Sequence, residues 1–325
     1  MTRKGIVFSA CFALGITVRC AGPRPPVAED FLSGCKRILF LGDSITQNGA
    51  YVGFIEYYLN RRFPGRTFDI VSIGLSSETV SGLTEPGHPY PRPCLHDRLG
   101  RALEKVKPGV VVACYGMNDG IYHPPDSGRS RAFQDGIRTL VRDAREAGAD
   151  AILVTPPPFD PLPVAGKLAP DGDAAYGYAS PYSRYDDVLE GYSRWLMDIR
   201  IPGVFTVDLH GPMSRAMERK RRADSAFCFS PDGVHPTPAG HLFMAWTFLK
   251  AVGLDVTAPD LDGELARLAA DSLFILVDRH RRIRSSGWLD FVGYTRETTV
   301  TVPGVSQAEQ QAAELQERID LMRRQ

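Results

Sequence analysis

Five short and almost wholly apolar runs are the feature that most restricts what this chain can fold into. Nearly continuous hydrophobicity, in place of strict alternation, is typical of parallel strands that helices cover on both faces. Glycine, proline or charged residues bound the runs, as is usual where a strand ends. The predicted strands are 37–42, 68–74, 109–116, 151–157 and 203–209.

Helical spacing of apolar residues fills the segments between these runs. In the last segment, Leu242, Ala245 and Leu249 fall on one helical face. Thr237 can cap this helix, and Pro238 suits its first position. Strands that alternate with helices predict an α/β fold, a doubly wound three-layer sandwich from about residue 36 to residue 253. The predicted helices are 49–63, 96–108, 130–148, 183–200 and 237–253.

Two regions fall outside this alternation. Residues 156–185 form a loop rich in proline, glycine and tyrosine, and loops of this length are usually functional or disordered. Residues 256–325 form a helical C-terminal extension, with helical patterns around 261–283 and 306–324. The joining segment contains the apolar stretch "GWLDFVGY", which can pack either on the sandwich or on a second subunit. Oligomerisation through the extension therefore stays open.

The N-terminus has the pattern of a secretion signal over residues 1–22. Arg3 and Lys4 precede an apolar run that is too short to span a membrane comfortably, and small residues and prolines follow it. We therefore expect export to the periplasm or the extracellular space, with no integral membrane span in the mature chain. Cys20 before Ala21 hints at lipid attachment, but Arg19 is a poor residue for such a site.

Charge and cysteine content exclude several classes of partner. The 325 residues carry 38 basic and 38 acidic side chains, so the net charge is zero. The charge therefore gives no reason to expect a nucleic acid or an anionic membrane as partner. No C-x-x-C pair occurs, so we expect no metal site of cysteines. The spacing does not decide whether a disulfide forms among the four cysteines beyond the signal, which are Cys35, Cys94, Cys114 and Cys228.

A serine follows the first predicted strand directly, in "RILFLGDSIT". The common esterase turn reads G-x-S-x-G, but here Thr46 occupies the place of the second glycine. Ligands of doubly wound sheets lie beyond the carboxyl ends of the strands. Ser44 is at such an end, as are Ser77 and Asn118 after the next two strands. The sequence therefore places polar groups where this fold class binds ligands.

One histidine of the seven stands in a setting that suggests a base for this serine. In "SPDGVHPTPAGH", Asp232 precedes His235 by three residues within a turn, so its carboxylate can reach one ring nitrogen. The carboxylate would then fix the tautomer, while the other nitrogen faces Ser44. Asp43 adjoins Ser44, but a neighbour in the chain points elsewhere. We expect Asp43 to make hydrogen bonds around the turn instead.

These motifs together resemble the SGNH (GDSL-type) hydrolases over roughly residues 36–252. The four blocks of that family are present as "FLGDSIT", "SIGLSSET", "YGMND" and "DGVH". The resemblance implies a flavodoxin-like sandwich with a five-stranded parallel sheet of order 2-1-3-4-5. It also implies ester hydrolysis through an acyl-serine, with neither a metal nor a cofactor.

Carried over by position, the resemblance assigns a role to each matching residue. Ser44 is the nucleophile, His235 the base and then the acid, and Asp232 its orienting partner. The donors to the oxyanion are the Ser44 backbone N–H, the Asn118 side chain and a backbone N–H of the second block.

The second block departs from the family pattern. It opens with Ser72 where asparagine is usual, and Ser77 stands where glycine is usual. A backbone donor needs only a permitted conformation, so the change does not exclude the role. Ser77 is the favoured third donor, with Gly74 as the alternative.

The substrate is the least constrained part. The loop 156–185 offers aromatic rings that suit stacking on a sugar or, alternatively, pack the loop on the domain; they are Phe159, Tyr176, Tyr178, Tyr182 and Tyr185. The segment 84–98 adds His88, Arg92 and His96 as polar candidates for a second wall.

The leading interpretation is an exported short-chain, most simply acetyl, carbohydrate esterase acting on a small-molecule or glycan ester. The alternatives are a lipase or thioesterase of the same family, and a catalytically silent carbohydrate-binding or scaffold protein. Sparse Asp and His clustering disfavours a metal-dependent phosphoesterase.

Overall fold

The computed structural model describes residues 37–173, 175–256, 260–294 and 305–324. The predicted signal peptide, the lipid attachment at Cys20 and the residue Cys35 lie outside these ranges. The division of the chain into a signal, a hydrolase domain at 36–253 and an extension at 256–325 stays a prediction.

Five parallel strands form one sheet in the order β2-β1-β3-β4-β5, which confirms the predicted topology. Every residue of β1 and β3 is buried, so both faces of the sheet are covered. Each strand lies within one residue of its predicted run or inside it. The strands are β1 (Ile38–Gly42), β2 (Ile70–Ser72), β3 (Val110–Cys114), β4 (Asp150–Val154) and β5 (Val204–Val207).

Helices flank the sheet and continue into the C-terminal region. Among the described residues, none of them combines the length and the apolar character needed to cross a bilayer. The helices of the sandwich are α1 (Ser44–Asn48), α2 (Ala50–Arg62), α3 (His96–Val106), α4 (Ser127–Glu146), α5 (Tyr185–Met197), α6 (His210–Arg221) and α7 (Pro238–Ala251). The C-terminal helices are α8 (Leu261–Ala270), α9 (Ser272–Val292) and α10 (Val305–Arg323).

Two local differences from the prediction have clear causes. Helix α4 begins three residues before the predicted range because the Asp126 carboxylate accepts the Arg129 N–H at 2.8 Å and caps the helix at an earlier residue. Helix α6 lies outside the predicted helix ranges, since its apolar residues are few, although its basic residues Arg215 and Arg219 suggest a solvated helix face. Met213, Ala216 and Met217 form the buried stripe of this otherwise polar helix.

The C-terminal extension differs from its predicted boundaries. Its first helical pattern is two helices, α8 and α9, because Asp271 caps α9 by accepting the backbone N–H of Leu273 at 2.8 Å. The start of the segment expected to join the two patterns, residues 288–292, belongs to the last turn of α9. Trp288 and Leu289 are buried there against the rest of the chain.

Helix α9 lies against α2 and covers the face of α2 that would otherwise meet solvent. The rings of Phe54 and Phe274 stack with centroids 5.0 Å apart, and the Tyr57 hydroxyl donates to Asp271 at 2.6 Å. Residues 51 to 60 of α2 are consequently all buried, which an amphipathic surface helix would not be. The extension thus packs on the sandwich of its own chain, whereas its role in oligomerisation stays a prediction.

Arg284 of α9 joins the β2 edge of the sheet to the C-terminal helices. Its guanidinium donates to the Ile70 carbonyl at 2.8 Å, to Asp69 at 2.6 Å and to Glu309 of α10 at 3.0 Å. This side chain is only 6% exposed, so its loss would take the Ile70 carbonyl's buried donor away and remove one ion-pair partner from each of the two partly exposed carboxylates.

We predict that Arg284→Ala lowers the free energy of unfolding by about 2 kcal/mol, since the Ile70 carbonyl loses a buried donor and two carboxylates lose an ion-pair partner. Arg282→Ala is the matched control. Arg282 lies on the same helix and pairs with Asp278, but its side chain is 69% exposed, so its removal should cost less than about 0.5 kcal/mol. Urea denaturation followed by circular dichroism measures both. Equal effects of the two substitutions would contradict the role given to Arg284.

Candidate active site

Ser44 is the first residue of α1, and Asp43 alone separates it from β1. The Asp43 carboxylate caps this helix by accepting the Ile45 N–H at 2.9 Å, as the sequence led us to expect. The Ser44 N–H lies in the first helical turn and therefore has no acceptor within the helix. Thr46 lies inside α1 with its hydroxyl 3.0 Å from that of Tyr51. No second glycine is needed, because the chain enters a helix rather than a strained elbow.

The structure brings Ser44, His235 and Asp232 into one hydrogen-bonded row. The Ser44 Oγ lies 2.8 Å from His235 Nε2, and His235 Nδ1 lies 2.6 Å from Asp232 Oδ2. The other oxygen of Asp232 accepts the backbone N–H of His235 at 2.7 Å and that of Val234 at 3.0 Å. A carboxylate only accepts, so Nδ1 carries the proton and Nε2 can accept the serine hydroxyl.

The turn that carries Asp232 and His235 is supported by the loop after β4. Gly233 has a φ of 83°, and a Cβ there would lie 3.0 Å from Phe159. The Gly233 carbonyl accepts the Asp160 N–H at 2.9 Å. The long Pro-rich loop thus holds the histidine turn from outside the sheet.

The electrostatics of this row favour a charged pair. Burial alone would raise the pKa of Asp232, but hydrogen bonds from the His235 ring and from two backbone N–H groups outweigh it and lower the pKa. The hydrogen bond to Asp232 raises the pKa of His235 above its ordinary value, although partial burial opposes this. An imidazolium at His235 is therefore stabilised where it would form.

Two further carboxyls are buried near the row but do not join it. Burial raises the pKa of Asp43 to about 7 and that of Asp119 to about 6. Asp119 accepts the backbone N–H groups of Val80 and Ser81 at 2.9 and 2.8 Å, which ties the end of β3 to the loop after β2. His241 is buried and stacked on Tyr51, so it packs in the core.

Asn118 is held with one amide hydrogen available. Its Oδ1 accepts the Tyr122 hydroxyl at 3.2 Å, and its Nδ2 donates to the Glu78 carbonyl at 3.3 Å. Tyr122 and its neighbour Ile121 have φ values of 59° and 47°, which side chains other than glycine rarely adopt. The chain thus adopts a strained turn at Ile121 and Tyr122 that brings the Tyr122 hydroxyl to the Asn118 amide oxygen.

The second block gives different structural roles to its two candidate donors. A Cβ on Gly74 would lie 2.3 Å from the Gln47 backbone nitrogen, so this glycine is required for close packing against α1. Ser77 has a φ of 66°, the conformation for which the usual glycine of the family is suited. Its N–H has no partner among the described residues.

A buried ion pair that the sequence did not reveal holds this block in place. Arg98 binds both carboxylate oxygens of Glu78 at 2.6 Å and donates to the Ile73 carbonyl at 2.8 Å. The Tyr115 hydroxyl donates to the same carboxylate at 2.6 Å. The sequence did contain one indication of this pair. Arg98 lies four residues before Ala102 and so falls on the buried face of α3, where a charged side chain requires a partner.

Most of the loop aromatics pack rather than line a surface. Phe159, Tyr176, Tyr182 and Tyr185 are buried, which settles the open alternative for these four in favour of packing. Tyr178 is the exception, at 49% exposed.

The polar candidates of segment 84–98 are largely committed to internal contacts. Arg92 is buried in a bidentate pair with Glu85, and His96 Nε2 lies 3.2 Å from the Val80 carbonyl. His88 is half-buried.

Cysteines and metal-ligating side chains do not form clusters in the described ranges. Cys94, Cys114 and Cys228 are free thiols. Across the residues that the structure describes, no three histidine, cysteine or acidic side chains are grouped as a metal would require.

We predict that Asp232→Asn lowers the pKa of His235, because the amide removes the negative charge and the strong acceptor that favour the imidazolium. Histidine ring signals followed by NMR against pH measure the change. Asp135→Asn, which alters an exposed partner of Arg138, should leave the His235 titration unmoved. An unchanged His235 pKa in the Asp232 variant would contradict the electrostatic description.

Comparison with solved structures identifies the same fold in enzymes. A gut microbial diltiazem-metabolizing enzyme matches with a TM-score of 0.51 and 20% identity, covering 71% of this chain and 48% of that one. This chain thus spans about half the length of that enzyme. The acetyl-xylooligosaccharide esterase Axe2 from Geobacillus stearothermophilus matches, as a mutant, with a TM-score of 0.52 and 21% identity, covering 70% of this chain and 98% of that one.

Sequence comparison identifies the family. No curated protein matches the chain significantly. The model of the GDSL-like lipase/acylhydrolase family matches residues 40–242, which is more than half of the chain and includes Ser44, Asn118, Asp232 and His235. The chain therefore belongs to the GDSL-like lipase/acylhydrolase family and is an SGNH-type serine esterase.

Proposed function

We propose that this esterase removes short acyl groups from carbohydrates, with Ser44 as its nucleophile. The observation that carries the catalytic part is the row from Ser44 Oγ through His235 to Asp232, with contacts of 2.8 and 2.6 Å. A serine hydroxyl becomes a useful nucleophile when a base of this kind takes its proton.

The first half of the reaction forms an acyl-serine. Ser44 Oγ attacks the ester carbonyl carbon while its proton passes to His235 Nε2, and Asp232 stabilises the imidazolium that results. The tetrahedral intermediate then collapses. Its bond to the alcohol oxygen breaks, and His235 gives its proton to that oxygen, so that the alcohol leaves neutral.

The second half repeats these proton transfers with water. His235 Nε2 takes a proton from a water molecule, whose oxygen attacks the acyl carbon of the Ser44 ester. Collapse of the second tetrahedral intermediate returns the proton to Ser44 Oγ and releases the carboxylic acid. The enzyme is regenerated without any other reactant.

Three donors are proposed for the oxyanion of both intermediates. The Ser44 N–H is unpaired at the helix start, the Asn118 Nδ2 has a second hydrogen beside the one it gives to Glu78, and the Ser77 N–H has no acceptor in the described structure. Oxyanion donors typically contribute about 10²–10³-fold each to the rate. Gly74 remains the alternative to Ser77. Its close packing against α1 already explains why a glycine is needed at that position, without a role as oxyanion donor.

The surface around Ser44, His235 and Asp232 favours a short acyl group in the substrate. A lipase that binds long chains presents an extended apolar surface beside its nucleophile. Among the described residues of the loops after β2 and β4, the large apolar side chains that are exposed are Leu162 and Tyr178. Two separate side chains do not make such a surface.

Two observations support a carbohydrate as the alcohol. Tyr178 presents an exposed ring on the loop after β4, and aromatic rings suit the apolar face of a sugar. The similar fold of Axe2, a protein described as an acetyl-xylooligosaccharide esterase, agrees with this choice. The N-terminal signal pattern supports export, which would bring the protein to extracellular or periplasmic glycans.

We predict that Ser44→Ala lowers the rate of p-nitrophenyl acetate hydrolysis by more than about 10³-fold, in buffer without added metal, because no other group replaces the nucleophile. Release of p-nitrophenol measures the rate. Ser272→Ala, at the exposed start of α9, is the control and should behave as wild type. Full activity of the Ser44 variant would exclude the mechanism. A wild-type protein inactive on every ester would favour the silent binding or scaffold protein.

We predict further that kcat/KM falls steadily from p-nitrophenyl acetate through the butyrate to the octanoate, because there is no extended apolar surface to hold a longer chain. Initial rates over the series measure this preference. A rise toward the octanoate would instead favour the lipase or thioesterase alternative, and it would leave the roles of Ser44 and His235 unaffected.

A further inference from the structure

Three rings form a row that begins beside Ser77 and ends in solvent. The Ser77 hydroxyl lies 3.3 Å from the Tyr90 hydroxyl. The Tyr90 and His88 rings meet edge to face with centroids 4.8 Å apart, and the His88 and Tyr178 rings do so at 5.2 Å. The aromatic row, as we call Tyr90, His88 and Tyr178, thus leads outward from a proposed oxyanion donor.

The row is built from two loops, and a buried ion pair within the first loop contacts the second. Arg92 binds both carboxylate oxygens of Glu85 at 2.6 Å, and both side chains are almost completely buried. The same carboxylate accepts the Tyr178 backbone N–H at 3.2 Å. The loop after β2 therefore fixes the backbone of Tyr178, a residue of the loop after β4.

The same arginine also reaches the proposed oxyanion donors. Its Nη1 donates to the Ser77 carbonyl at 3.4 Å, and its guanidinium lies 5.5 Å from the ring centroid of Tyr122, the residue that orients Asn118. One buried cation thus sets the position of the exposed ring relative to the reacting centre. A surface tyrosine without function would not need this support.

We propose that the aromatic row is the subsite for the alcohol part of the ester, with the Tyr178 ring as the platform on which a pyranose ring stacks. The proposal rests on the proposed esterase function and specifies where its substrate binds. In the proposed complex the carbonyl oxygen faces the oxyanion donors and the leaving oxygen faces His235, and the rest of the alcohol reaches the aromatic row, which begins beside Ser77. An exposed aromatic face offers apolar contact to the C–H face of a sugar, while His88 and the tyrosine hydroxyls can bond its hydroxyl groups.

The test compares two acetate esters that differ in the alcohol. Tyr178→Ala should lower kcat/KM for an acetylated methyl xyloside by about three- to tenfold, mainly through a higher KM, because it removes the stacking face. On vinyl acetate, whose alcohol part has no ring, the same variant should stay within about twofold of wild type. Tyr178→Phe keeps the ring and should retain the activity on the xyloside.

Leu162→Ala serves as the matched control, because Leu162 is as exposed as Tyr178 but lies outside the aromatic row. It should leave both esters unaffected. An equal loss of the Tyr178→Ala variant on both esters, or no loss on either, would overturn the proposal. A wild-type enzyme that hydrolyses vinyl acetate but not the xyloside would overturn the sugar subsite and leave the esterase standing. Failure of wild type on both would remove the proposed function itself.

Discussion

The loop between β2 and α3 depends on two fully buried ion pairs, and most of the proposed site depends on that loop. Glu78–Arg98 holds the segment that contains Ser77 and gives Asn118 its carbonyl partner, while Glu85–Arg92 holds the aromatic row. An ion pair of this kind adds little net stability, but leaving one partner unpaired typically costs about 3–5 kcal/mol. Such pairs therefore specify one arrangement strongly. A loop without secondary structure acquires in this way the fixed geometry that catalysis requires.

Ser44 is supported from a different direction. It lies at the start of the short helix α1, and Arg281 of the C-terminal helix α9 donates to the Asn48 carbonyl at the other end of α1, at 3.2 Å. Helix α9 also covers the outer face of α2. The C-terminal extension is therefore continuous with the core that positions the nucleophile, although it contributes no residue to the catalytic row.

The sequence predicted those features that follow from local patterns or from distinctive motifs. Continuous apolar runs indicated the parallel strands, and the spacing of Asp232 and His235 indicated a turn in which the two side chains meet. The bounds of helix α6 escaped prediction because its buried stripe is narrow. The loop aromatics could not be divided into packing and exposed residues, since burial of Phe159 or Tyr185 depends on contacts distant in sequence. The pairing of Arg98 with Glu78 was hidden for the same reason.

The absence of a second glycine after Ser44 has a consequence for where this fold stores conformational strain. A regular helix carries the nucleophile, while the positive φ values of Ser77, Ile121 and Tyr122 lie on the side of the oxyanion donors. Strained conformations of this kind persist only where the surroundings enforce them, commonly at functional sites. Enzymes commonly lose stability to conformations that activity requires. In this fold we expect that loss to arise in the loops after β2 and β3. The helix that carries the nucleophile needs no such backbone conformation.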